Sequence, residues 1–377
     1  MKLVAESGLW RLGPAVAEVP LAAVLEVDGA VLAWTVDEAG DEVAQITLID
    51  PARADWLWRV LGESGHRAVA DVAAQPADQA AGVDLSGVTV RTGALDGLRR
   101  LALGHWLRRW WPASVRDGIA GLDAALLDAE IALVTSAADD FVGEDTLDGD
   151  IGSLLAPHAA ALSLHLLVGD PRVVDLVSRC ARLAEDVGVD APGWAELVDA
   201  VEESTASPAL ASLRRDDYAL AAGTDAGLTP TGLIARGVAS VAWSGVPSGI
   251  FDAAEDIVDW AVAADGDRVN AMLHAAVVGP GTPAGIPVAL RCAGFTALGA
   301  LDETGRATIE LLDAANRSIS AIDAWDLDWS AAEVTVGAAT DEPAQARDRV
   351  RRFARQRLAA PGPEAYLAEI LAAESDY

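Results

Sequence analysis

Lysine is almost missing from this sequence. Position 2 holds the one lysine, and every other basic residue is arginine. A phosphate-binding loop needs a lysine behind its glycines, a pyridoxal enzyme needs a Schiff-base lysine, and a protein kinase needs a strand lysine. None of these mechanisms has its residue beyond Lys2, so all three are excluded. Cysteine is equally scarce. Cys180 and Cys292 stand far apart, with no Cys-x-x-Cys pair and no metal-type spacing. They read as buried small apolar residues.

The histidines are His66, His105, His158, His165 and His274. His158 and His165, seven positions apart, fall on one helical face but two turns from each other. That is too far to share a metal without a third element, and their apolar setting reads as core or boundary. The sequence therefore assigns no catalytic residue, no metal ligand and no cofactor. The longest apolar runs are broken by charge or proline short of the about 20 residues that span a bilayer, so no membrane partner is expected. Met1–Trp10 carries Lys2 and then Glu6 without an apolar core, which is not a secretory signal. The location expected from these features is cytoplasmic.

What the sequence does have is acid. Its 58 Asp and Glu against 27 Lys and Arg leave a net charge of −31. Non-specific binding to nucleic acid or to an anionic membrane would work against that charge, so nucleic acid is disfavoured as a partner. The heavy use of Ala, Gly and Arg matches a GC-rich bacterial genome; a salt-adapted proteome is the alternative. The length of 377 residues suggests two or three domains, and a hydrophobic fraction of 52% is ample for sizeable cores.

Patterning predicts an α+β multidomain chain. Residues 1–93 read as a strand-rich α/β domain. Val16–Val27, Ala30–Val36 and Val43–Ile49 are strand-like, with an Asp28-Gly29 hairpin signal between the first two. Pro51 opens a helix through Leu61, Gln75–Gly82 is a connector, and Val88–Val90 is a short strand. Residues 94–221 form a helical bundle region. Its helices are Leu95–Trp111, one striped by Ile119, Leu122, Leu126, Ala129 and Leu133, one capped by Asp150 and broken at Pro157, one begun by Asp170-Pro171 and ended at Gly188, and one marked by Trp194, Leu197, Val198 and Val201. Ala221–Gly232 has linker composition. Residues 232–342 read as a β-sandwich, from short strands punctuated by Asp265-Gly266, Gly279-Pro280-Gly281 and Glu303-Thr304-Gly305. Val288–Gly337, with a turn at Leu301–Gly305 and a strand at Ala307–Leu312, is similar in pattern to small accessory sandwiches of the fibronectin or carboxypeptidase-regulatory type. That likeness brings no motif and no activity. Residues 343–377 form a terminal helical hairpin broken at Pro361-Gly362-Pro363.

The motif-like stretches are weak. Gly279-x-Gly281-x-x-x-Gly285 lacks the following helix that would hold a phosphate. Ser248, within Gly245–Gly249, is one position out of register for a nucleophile elbow. Asp139, Asp140, Glu144, Asp145, Asp148 and Asp150 do not follow the calcium-loop pattern and read as a solvated loop with a helix cap. Asp323, Asp326 and Asp328 read as the polar face of a strand or turn, with Trp325 and Trp329 packed inward.

Two arginine clusters stand out against the acidic background. Arg99, Arg100, Arg108 and Arg109 flank Trp106, Trp110 and Trp111. Arg347, Arg351 and Arg355 recur every four residues on the penultimate helix. Guanidinium and aromatic groups suit a docking surface for another protein, with Arg100, Arg108, Arg109, Trp110, Trp111, Arg347, Arg351 and Arg355 as its candidates. The same arginines also suit pairing with the chain's own carboxylates, and that intramolecular use is favoured. The leading reading is a non-enzymatic interaction or scaffold protein of a bacterial cytoplasmic complex. A hydrolase with a dispersed carboxylate/histidine site is the alternative, and a nucleic-acid-associated protein using the arginine helix is the weaker one.

Overall fold

The computed structural model describes residues 1–38, 44–75, 82–142, 148–206, 232–266 and 268–375. Alternating buried and exposed side chains build an N-terminal sheet from β1 (Lys2–Glu6), β2 (Leu9–Leu12), β3 (Ala22–Val27), β4 (Ala30–Thr35), β5 (Gln45–Leu48) and β6 (Val83–Asp84), in the order β3-β4-β5-β2-β1-β6. Asp28-Gly29 makes the β3–β4 hairpin, with Val27 opposite Ala30. The β1–β2 hairpin was not expected. It turns at Ser7 and Gly8, both at positive φ, and buries Leu3, Trp10 and Leu12. Val16–Pro20 precedes the third strand rather than belonging to it, and Val88–Val90 forms no strand.

Helix α1 (Leu57–Ala73) begins later than Pro51 because residues 50–54 are spent in turns, with Arg53 N–H bonded to Asp50 O and Ala54 N–H to Pro51 O. Buried Trp56 anchors its start by donating to Asp28 O at 2.8 Å. Gly62, at φ 75°, interrupts the helix. Then follow α2 (Asp96–Trp110), α3 (Ala124–Val142), α4 (Asp148–Leu155), α5 (Ala159–Val168), α6 (Pro171–Asp186) and α7 (Trp194–Ala206). Ile119 and Leu122 precede α3 instead of lying on it. Ile119 pairs with Ser114 in a short bridge, and Asp123 starts the helix by accepting from Leu126 N–H at 3.0 Å. A 3₁₀ turn at Ala156–His158, containing Pro157, separates α4 from α5. Asp170 caps α6 by accepting from Arg172 N–H, and Val173, Val177, Cys180 and Ala184 form its buried stripe. Gly188, at φ 70°, follows its end.

Ile151–Val168 holds no Asp, Glu, Lys or Arg and reaches the length and mean hydropathy of a membrane-crossing helix. Here the expectation that charge or proline breaks every apolar run holds only through Pro157. Leu164, Leu167 and Val168, near the end of α5, are exposed.

The C-terminal part contains β7 (Leu233–Ala239), β8 (Val258–Asp265), β9 (Arg268–Ala275), β10 (Pro287–Cys292), β11 (Phe295–Ala300), β12 (Arg306–Glu310), α8 (Ala321–Trp325), β13 (Glu333–Val336), α9 (Ala344–Ala359) and α10 (Leu367–Ser375). Strands β12-β9-β8-β7 make one sheet and β11-β10-β13 another. One hydrophobic cluster takes Val258, Val262 and Leu273 from the first and Val288, Leu290 and Val336 from the second. Where a strand or turn with both tryptophans inward was expected, residues 321–325 form a short helix followed by a turn at Asp326; Trp325 is 60% exposed, whereas Trp329 packs 6.4 Å from Trp260.

The chain divides into two compact units. One comprises Met1–Arg108, Leu122–Arg215 and Arg355–Tyr377, the other Arg109–Gly121 and Asp216–Ala354. These divisions differ from those drawn on the sequence at 93, 221 and 342. Within the second unit, buried Asp252 accepts from the Ser114 hydroxyl at 2.6 Å and Val115 N–H at 2.9 Å, which ties in the segment after α2. Within the first, Tyr366 is fully buried and donates to Arg100 O at 2.6 Å, which ties in the C-terminal segment. The expected Gln75–Gly82 connector, the Ala221–Gly232 linker, and Glu144 and Asp145 of the acidic cluster fall wholly or mostly outside the described residues.

Candidate functional site

The expected arginine–tryptophan surface divides into residues with different roles. In the first unit, Trp106 is buried and donates to Pro20 O at 2.7 Å. Arg100 pairs with Glu130 of α3 and lies 5.1 Å over the Tyr366 ring. Arg108 Nε lies 2.9 Å from Asp128 Oδ1. These three are engaged within their own unit.

Arg109, Trp110 and Trp111 belong to the second unit and form an edge. Pro112 stops α2 directly after them. The Arg109 guanidinium stacks 4.2 Å from the Trp110 ring centroid. It donates to Trp243 O at 3.1 Å and Val246 O at 3.0 Å, so its hydrogen bonds end on carbonyls. Burial lowers the Arg109 pKa, and the charge of Glu342 opposes that shift. Trp111 donates to Ala120 O at 2.8 Å. Trp110 and Trp111 are half-buried, Pro247 and Ser248 beside them are exposed, and all four line, with Trp243, a cavity of about 40 Å³.

Arg347 and Arg351 point elsewhere than to solvent. Their side chains are 8% and 7% exposed. Arg347 grips Glu255 through two bonds, Nε to Oε1 at 2.9 Å and Nη2 to Oε2 at 2.8 Å, and donates to Glu342 O at 3.0 Å. Arg351 donates to the same Glu255 at 3.0 Å and to Ala253 O at 3.1 Å, and pairs with Asp117 at 3.4 Å. Burial would raise the Glu255 carboxyl. Hydrogen bonds from Arg347, Ser240 and Arg351 and the charge of Arg347 outweigh it and hold the group down at about 2. The four-residue spacing of arginines is thus an internal clamp at these two positions, because the fold brings a carboxylate from the loop before β8 against α9. Arg355 is exposed on the same helix.

Both paired-spacing histidines meet a carboxylate across helices. His158 Nε2 lies 2.9 Å from buried Asp128, and His165 Nε2 lies 2.8 Å from Asp123. The hydrogen bond to Asp123 raises the His165 pKa against the opposing effect of burial. Neither histidine lines the cavities described here. Among the described residues, no group of three or more His, Cys, Asp or Glu is placed to hold a metal ion. The cysteines are buried and free, and burial pushes the Cys180 thiol up to about 12.

A further cleft was not foreseen. In the first unit, α2, α3, α6 and α10 surround a cleft of about 610 Å³. Leu98, Leu133, Val134, Phe141 and Leu176 supply apolar walls, while Arg100, Arg172 and Arg179 supply cations. The lining comes from four separated segments. Its one trace in the sequence is the seven-residue interval between Arg172 and Arg179, which places both on one face of α6.

No protein-family model matches the chain, and neither a curated protein nor a solved structure matches it.

Proposed function

We propose that this chain is a non-enzymatic interaction protein that docks another protein through the Arg109–Trp110–Trp111 edge. The observation that carries the reading is the stacked pair itself. A guanidinium held by carbonyls rather than by hydrogen-bonded carboxylates lies on a half-exposed tryptophan, beside a second tryptophan and an exposed proline. Tryptophan and arginine dominate binding hot spots because they combine large apolar area with directional donors. The matching partner presents an acidic segment with an apolar side chain. Composition and two free buried cysteines support a bacterial cytoplasmic setting. The common core of the two C-terminal sheets supports a β-sandwich module within 232–342. Affinity capture from the native host with the wild type and with Arg109→Ser/Trp110→Ser tests the proposal. The variant should lose the co-purifying protein while still melting in one cooperative transition, which shows that it is folded. The same partner retained by the variant would sink the docking edge.

A hydrolase is the second reading, favoured by His158 held against buried Asp128, the base-and-orienter half of a catalytic set. Hydrolysis of a generic ester abolished by His158→Ala, with the fold intact, would favour it. The nucleic-acid reading rests on α9, and the inward pairing of Arg347 and Arg351 weakens it.

A further inference from the structure

We propose that the cleft between α2, α3, α6 and α10 binds a single-tailed amphipathic anion, an alkyl carboxylate or alkyl phosphate. The inference is independent of the docking edge, which lies in the other unit. A cleft of about 610 Å³ with mostly apolar walls falls in the usual range of small-molecule sites, roughly 300–1,000 Å³. Leu98, Leu133, Val134, Phe141 and Leu176 offer a tail no polar partner, so an alkyl chain is the matching body.

The head group follows from the arginines. With a net charge of −31, the chain as a whole repels anions, and an anion site must be made locally. The three arginines of the wall are not equivalent. Arg172 is already clasped by Asp170 and Glu374. Arg179 is half-exposed and has its carboxylate, Asp175, at 3.8 Å, beyond hydrogen-bonding reach. Arg100 spends one terminal nitrogen on Glu130, and its buried Nε–H has no hydrogen-bond partner. Glu130 itself accepts from Leu367 N–H as well as from Arg100, so its oxygens are engaged. The solvent-facing, loosely paired guanidinium of Arg179 on α6 is the group an incoming oxyanion can reach, and Arg100 on α2 adds positive charge to the same cleft. The lining sets three arginines against the two carboxylates Glu130 and Asp175, so a cationic head meets the charge of the majority sign as repulsion.

Calorimetric titration of the full chain tests this with decanoate and decyl phosphate against decanol, decyltrimethylammonium and inorganic phosphate. One of the two acids should saturate a single site, and the tighter one identifies the head group as carboxylate or phosphate. Decanol should bind at least about tenfold more weakly. Arg179→Glu should weaken the acid about tenfold or more. Ala137→Trp, at an exposed position of the cleft wall, should abolish binding without altering the charges. Both substitutions sit at solvent-facing positions, and unchanged melting confirms that each variant is folded. Equal affinity for decanol would remove the arginines from recognition. Inorganic phosphate as tight as decyl phosphate would remove the tail. Undiminished binding to folded Ala137→Trp would place the ligand elsewhere. Any of these results, or no binding of either acid, overturns the proposal.

Discussion

Glu255 is held by two arginines, and its carboxyl is pulled far below its ordinary value of 4.5. A depressed folded-state pKa means that the unfolded chain takes up a proton first as pH falls. The stabilisation from Glu255 is therefore complete above about 4.5 and is lost as pH drops toward about 2. Glu255→Gln should destabilise the protein at neutral pH, and its deficit relative to the wild type should shrink across that window. Urea unfolding at a series of pH values measures it. A deficit that stays constant down to pH 2 would show that the carboxylate charge is not what Arg347 and Arg351 hold.

At the scale of the element, α9 carries two kinds of arginine. Arg347 is buried against Glu255, whereas Arg352 pairs with Asp348 one turn away in solvent. Removing one member of a buried pair strands the other and costs roughly 3–5 kcal/mol, against about 0.3–0.5 kcal/mol for an exposed pair along a helix. Arg347→Ala should therefore lower stability several-fold more than Arg352→Ala in matched denaturant titrations. Equal losses would mean that the clamp contributes no more than a surface pair. In α2, Gly104 is the close-approach point. A Cβ there would lie 2.4 Å from Tyr366 Oη and 2.7 Å from Ile131 Cγ1. Alanine gains about 1 kcal/mol in helix propensity, but overpacking costs typically 1–3 kcal/mol. Gly104→Ala should come out destabilising, and a stabilised variant would show that Tyr366 and Ile131 yield easily.

At the scale of the whole molecule, each unit draws on segments far apart in the chain. Ser114 and Val115 complete the shell of Asp252, and Arg116 donates to Glu255 O at 2.9 Å, all within the second unit. Leu367 N–H binds Glu130, and Arg357 is clasped by fully buried Glu369, all within the first. A protease cut within 207–231 should accordingly give two fragments that co-elute under native conditions and separate only in denaturant. Fragments that separate in native gel filtration would mean that residues 232–377 hold together without Ser114–Arg116.

Local signals sufficed wherever structure depends on neighbours in the chain. Asp28-Gly29 turns a hairpin, Asp170-Pro171 opens a helix, and Gly188 follows its end, because φ preference and capping act within a few residues. They also sufficed for the coarse order of strand-rich, helical and sheet regions. Periodicity misled at Ile119 and Leu122, where a bridge and the Asp123 cap override the apparent stripe, and at Trp325, expected to pack inward from a strand or turn but exposed on a short helix. The site lay further out of reach. Arginines spaced by four look alike as letters, and Glu255, 92 positions from Arg347, turns two of them inward. The arginine-walled cleft likewise exists only where α2, α3, α6 and α10 converge. Composition by itself ruled out lysine chemistry and set the acidic charge. Which arginines meet solvent, which meet carboxylates and which border a cavity was decided by tertiary structure, because charge pairing and burial depend on distance in space rather than along the chain.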